Sequence, residues 1–66
     1  MQITVNSQPR EVPEGTTLAR LVEDLGLRRD RIAAERNLKV VPKAQYEATA
    51  LREGDRLEIV TFVGGG

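Results

Sequence analysis

Neither cysteine nor histidine occurs anywhere in the 66 residues. Without cysteine there are no disulfides to staple a small scaffold, which argues against a secreted domain and fits a reducing, cytoplasmic compartment. Without either residue, Cys/His zinc sites and Cys–His or Ser–His nucleophilic pairs are excluded. No bound metal is expected. Tryptophan is absent too. Tyr46 and Phe62 are the only aromatics, too few to build a base-stacking platform. No charge of one sign dominates, because ten basic residues balance ten acidic ones. That removes the electrostatic draw toward nucleic acid. No apolar run is long enough to span a membrane, and Met1 leads into a strand-like pattern rather than a basic segment and an apolar stretch. The expectation is a cytoplasmic chain, monomeric when free, with neither nucleic acid nor membrane as partner.

What is present is one small domain's worth of alternating and helical patterns. A chain of this length buries only about 60% of its unfolded surface, so its core must be economical. In "MQITVN", Ile3 and Val5 point one way and Gln2 and Thr4 the other, as in a half-buried strand. "NSQP" is turn chemistry, and "REV" can return as a second strand, with Pro9 tolerated at a sheet edge. Leu18, Leu21, Val22 and Leu25 recur at i, i+3, i+4 and i+7, predicting a helix over about Thr17–Leu25. Thr16 or Thr17 can cap its start. Gly26 stands where a left-handed C′ residue belongs, and Leu27 can fold back on the last turn. So short a helix needs a sheet to bury its apolar face.

"RRDR" reads as a solvated connection and "IAAER" as a third strand with Ile32 and Ala34 inward. Asn37 can turn the chain, Val40–Val41 is an apolar pair stopped by Pro42, and "KAQY" suits a single helical turn. A further short strand is predicted near Glu47–Leu51. "REGD" is a turn, and "RLEIVTFV" is a last strand apolar on both faces, as a central strand should be. The order predicts an α+β fold, a mixed four- or five-stranded sheet with one packed helix. Residues 1–63 form the domain, and Gly64, Gly65 and Gly66 form a flexible tail.

The tail asks for its own explanation. Three glycines are a poor way to end a strand for stability, since glycine has the most backbone entropy to lose. They extend at most about 10 Å and, lacking Cβ atoms, can pass a narrow channel. With no side-chain nucleophile available, the distinctive group left is the Gly66 carboxylate. Its pKa of about 3.5 leaves it ionised and a poor electrophile at neutral pH. It reacts only if a partner converts it to a mixed anhydride such as an acyl-adenylate. A short glycine-rich end is also how a frayed terminus looks.

The stretches "MQITVN", "EGTTLARLVEDLGL", "AERN" leading to "VVPKAQY", and "REGDRLEIVTFVGGG" decide between these. Together they resemble the bacterial sulfur carriers of thiamine biosynthesis, within the ubiquitin-like β-grasp fold, over the whole chain. The resemblance implies a carrier that is not itself an enzyme and binds no cofactor. An E1-like adenylyltransferase would use ATP to form a C-terminal acyl-adenylate on Gly66. A cysteine desulfurase or other persulfide donor would then turn it into a thiocarboxylate, and thiazole synthase would take the sulfur. Gly64 and Gly65 would form the thread. The family's minimal ending is two glycines; were the third trimmed here, Gly65 would be activated instead. Other readings are the small subunit of molybdopterin synthase, a ubiquitin-like protein modifier, or a β-grasp binding module with an inert tail.

Partner contacts are expected beside the tail. Alternation puts Leu57 and Ile59 on one face, and Glu58, Val60 and Phe62 on the other. Val60 and Phe62, continuing into Val63, would form an exposed apolar patch where a partner docks. The competing reading has Phe62 closing the core. Tyr46 is read as a core plug whose hydroxyl reaches water, Asp55 as a turn former, and Arg36 and Lys43 as solvated charges. Glu23 and Asp24 slightly oppose the helix dipole.

Overall fold

The hairpin at the N-terminus is set by its turn. The computed structural model describes residues 1–62; Val63 and the Gly64–Gly66 tail lie outside the described residues. Strands β1 (Gln2–Val5) and β2 (Gln8–Glu11) pair antiparallel, with Val5 opposite Gln8. Asn6 and Ser7 between them both have positive φ, 50° and 69°, the turn whose twist matches paired strands. A two-residue turn lets pairing resume at once, so β2 starts earlier than "REV". Val12 lies just past its end and is buried.

Helix α1 (Leu18–Asp24) forms where the apolar periodicity predicts, one residue shorter at each end. Thr17 is the cap, its side chain accepting from the Arg20 N–H at 3.2 Å. The Thr16 hydroxyl instead donates to the Pro13 carbonyl at 2.6 Å. At the other end Gly26, at φ 72°, donates to the Glu23 carbonyl, and Leu27 N–H reaches Val22 at 3.1 Å. This paired closure satisfies two carbonyls that the helix leaves open. Leu18, Leu21 and Val22 are buried.

Strand β3 (Ile32–Arg36), a second positive-φ turn at Asn37–Leu38, and β4 (Lys39–Val41) follow. Lys43–Gln45 makes the single helical turn expected of "KAQY". The strand predicted near Glu47–Leu51 does not form; a lone bridge between Thr17 and Ala50 is all that remains. The reason lies in the helix start, whose first N–H groups have no partner within the helix. Leu18 N–H donates to Thr49 and Ala19 N–H to Tyr46, while Leu51 N–H donates back to Thr16. This segment therefore caps a helix instead of pairing with a strand.

Strand β5 (Arg56–Thr61) runs between β1 and β3 in the order β2-β1-β5-β3-β4. It is parallel to β1 and antiparallel to β3, so the five-stranded sheet is mixed and β5 is central, as predicted. The helix covers one face. Ile3, Val5, Ile32, Ala34, Val41, Leu57 and Ile59 meet Leu18, Leu21, Val22, Val12, Tyr46 and Leu51 in one core.

Candidate functional site

The end of β5 carries the candidate site. Leu57 and Ile59 point into the core, while Val60 is 61% exposed and Phe62 52% exposed. Phe62 thus does not close the core. Val60 lies opposite Ala33 on β3, and Phe62 N–H donates to the Arg31 carbonyl at 2.8 Å. The β3 side therefore holds the strand straight up to the last described residue. Lys43, read as a solvated charge, places its ammonium 5.6 Å from the centre of the Phe62 ring, within range of a cation–π attraction. Val63, Gly64, Gly65 and Gly66, the rest of the predicted site, lie outside the described residues.

Two apolar residues that sequence reasoning did not single out are also exposed, Val40 at 71% and Leu38 at 83%. Val40 sits opposite Glu35, and Glu35 opposite Glu58. The outer face therefore carries two facing carboxylates with Val40 beyond Glu35, a locally unfavourable arrangement. The alternation of Lys39–Val41 could have shown that one of the two valines faces outward, since neighbouring strand residues point to opposite faces.

Behind the site, the turn after Leu51 is fixed by Asp55. This side chain is buried and accepts from Arg52 N–H and Arg36 Nε, both at 2.9 Å, and from Asn37 Nδ2 at 3.1 Å. Burial alone would raise its pKa, but the Arg52 amide, the Asn37 amide and the Arg36 guanidinium together outweigh that and hold it below the usual carboxylate range. Arg36 is thus not a free solvated charge, because folding brings it onto a buried carboxylate. Asn37 Oδ1 also accepts from Arg56 N–H at 2.9 Å, tying the β3–β4 turn to the start of β5.

Three further ion pairs are structural. Arg28 grips Asp30 and Arg29 grips Glu47 with two bonds each, all exposed, consistent with a solvated connection. The Arg20–Asp24 pair along the helix offsets part of the poor placement of Asp24. Tyr46 does plug the core, but its hydroxyl does not reach water. The residue is fully buried, and the oxygen has no hydrogen-bond partner among the described residues. The Arg29 guanidinium lies over the face of the ring, 5.4 Å from its centre. Among the described residues there is no cavity and no group of carboxylates suited to a metal ion.

A helix across a mixed five-stranded sheet, with the last strand central and parallel to the first, defines a ubiquitin-like β-grasp protein. Residues 3–66 match the ThiS family, and the chain belongs to it. It is 30% identical to the sulfur carrier protein ThiS of Escherichia coli (strain K12), over all of both chains. It is 41% identical over its whole length to a thiazole synthase of Paramagnetospirillum magneticum. The chain spans only 20% of the length of that synthase. Among solved structures it resembles the crystal structure of a thiamine biosynthesis protein (ThiS) from Geobacter metallireducens. The TM-score is 0.85 at 30% identity, with both chains fully covered.

Proposed function

We propose that this chain carries sulfur on the carboxylate of Gly66 for thiazole formation in thiamine biosynthesis, and is acted on by partner enzymes rather than catalysing a reaction itself. The observation that carries this reading is the family match, which runs through the glycine tail to residue 66. The full-length relationship to a sulfur carrier supports it. So does the chemistry left to a chain with no cysteine and no histidine.

The partner's ATP supplies the activation. A carboxylate oxygen attacks the α-phosphorus, pyrophosphate leaves, and an acyl-adenylate forms. The terminal sulfur of a persulfide then attacks the carbonyl carbon and AMP leaves. A second thiol reduces the resulting acyl disulfide, releasing the thiocarboxylate. An E1-like adenylyltransferase, a cysteine desulfurase and thiazole synthase fill these roles. Val60 and Phe62 provide the apolar surface on which the activating enzyme docks, with Val63, Gly64 and Gly65 leading into its site.

The test is intact-mass spectrometry after incubation with an E1-like enzyme, ATP and a persulfide donor. One oxygen-for-sulfur exchange, localised to the C-terminal peptide, is expected. A chain ending in an amide keeps the reach of the tail but has no group to adenylate, so it should acquire nothing. Sulfur loading of the amidated chain would end the carrier reading.

A further inference from the structure

Asn6 does more than turn the N-terminal hairpin. The β1 backbone leaves the sheet here, at φ 50°, after Asn6 N–H has donated to the Leu57 carbonyl at 2.8 Å. Its side chain then reaches further along β5. Oδ1 accepts from Ile59 N–H at 2.8 Å, and Nδ2 donates to the Ile59 carbonyl at 3.1 Å. A carboxamide offers one acceptor and one donor in a plane, as a peptide group does. It therefore supplies one more rung of the parallel ladder after the backbone has turned away. Among the described residues, Ile59 is the last in β5 to be held from this side.

We infer that Asn6 is a positioning residue for the tail reaction, aiming the end of β5 into the activating partner. The inference rests on the carrier reading. Without the side-chain rung, the last grip on the β1 side retreats from Ile59 to Leu57. The strand beyond is then held by β3 alone, along a lever two residues, or about 7 Å, longer. A swing about a single edge moves whatever β5 delivers. Misplacing a reacting group by about 1 Å is enough to cost a large factor in rate.

The test is ATP–pyrophosphate exchange by an E1-like enzyme, with this chain as the varied substrate. Asn6→Gly keeps the positive φ and removes the amide. Asn6→Asp keeps the shape but sets an oxygen against the Ile59 carbonyl. Both should lower kcat about tenfold with KM within about twofold of the wild type, and both should speed amide exchange at Ile59. A merely destabilising change depletes folded substrate, which raises apparent KM and leaves kcat intact at saturation. Val12→Ala, buried at the far end of the same hairpin beside Met1, serves as that control. The inference is overturned if the Asn6 variants behave like Val12→Ala, or if Asn6→Asp matches the wild type. Absence of exchange with the wild-type chain would instead remove the carrier reading itself, and this inference with it.

Discussion

Asp55 gathers into one carboxylate the ends of two turns that lie far apart in sequence. Its three donors come from Arg36, Asn37 and Arg52, and its side chain is 8% exposed, so water replaces little of what a substitution removes. Asp55→Asn keeps the volume but leaves Arg36 facing a neutral group. It should cost about 2 kcal/mol at neutral pH, read from denaturant midpoints. The pH dependence has a definite sign. A carboxyl whose folded pKa is depressed contributes stability that is complete above its unfolded value, about 3.9. That stability is lost as pH falls through the folded value. The gap between wild type and Asp55→Asn should therefore stay constant above about pH 5 and narrow below about pH 4. A gap that stayed unchanged down to pH 2 would show that the charge of Asp55 does not matter. "REGD" announced a turn, and the turn is there. What the sequence could not show was the partners, since Arg36 and Asn37 stand on another hairpin and reach Asp55 only once β3 and β5 have paired. Asn6 is a similar case, an ordinary turn residue in the sequence whose amide bonds matter only after a residue 53 positions away arrives. Tyr46 was legible as a core filler because it is large and flanked by polar residues. Nothing in the local sequence recorded that its hydroxyl would be buried without a partner among the described residues.

At the scale of the element, β5 joins packing to function. Its inner residues, Leu57 and Ile59, are part of the core, while its outer residue Val60, and Phe62 just past its end, are open. That division was visible in the alternation of "RLEIVTFV", and the helix was visible in its leucine spacing, because both patterns report which face must leave water. The failed strand at Glu47–Leu51 shows where such patterns stop. Its backbone is claimed by the open N–H groups of α1, and nothing in its own side chains records that demand. The exposed side of β5 supports a prediction. A half-exposed Phe62 stacked with Lys43 contributes little to the fold, so Phe62→Ala should cost less than about 1 kcal/mol of stability. If the same ring is an anchor for the activating enzyme, affinity should fall about tenfold or more, as for a central aromatic contact. Equilibrium unfolding and a binding titration on the same preparation separate the two effects. A large stability loss with unchanged affinity would return Phe62 to a purely structural role.

The whole molecule is notable for the reactivity it does not have. Its core is a single layer of side chains, aliphatic apart from Tyr46, between one short helix and one sheet face, and no side chain in the sequence is a thiol or an imidazole. Under the proposed carrier role, a thiol in the chain would be a hazard. A thiol near an acyl-adenylate could capture the acyl group, and one near a persulfide could take its sulfur. A chain without either has no thiolate, and its one strongly nucleophilic sulfur arises at the terminus only after loading; the Met1 thioether is a far weaker nucleophile. The 66-residue chain treated with iodoacetamide at neutral pH should therefore gain no rapid adduct, and should afterwards accept sulfur as well as an untreated sample. Once loaded, it should gain a single alkyl group on the C-terminal peptide, because a thiocarboxylate is ionised and nucleophilic at a pH where amines are protonated. Mass spectrometry before and after loading reads both halves of this expectation. Alkylation at an internal residue of the loaded chain, with the C-terminal peptide unmodified, would mean that the sulfur resides somewhere other than the tail.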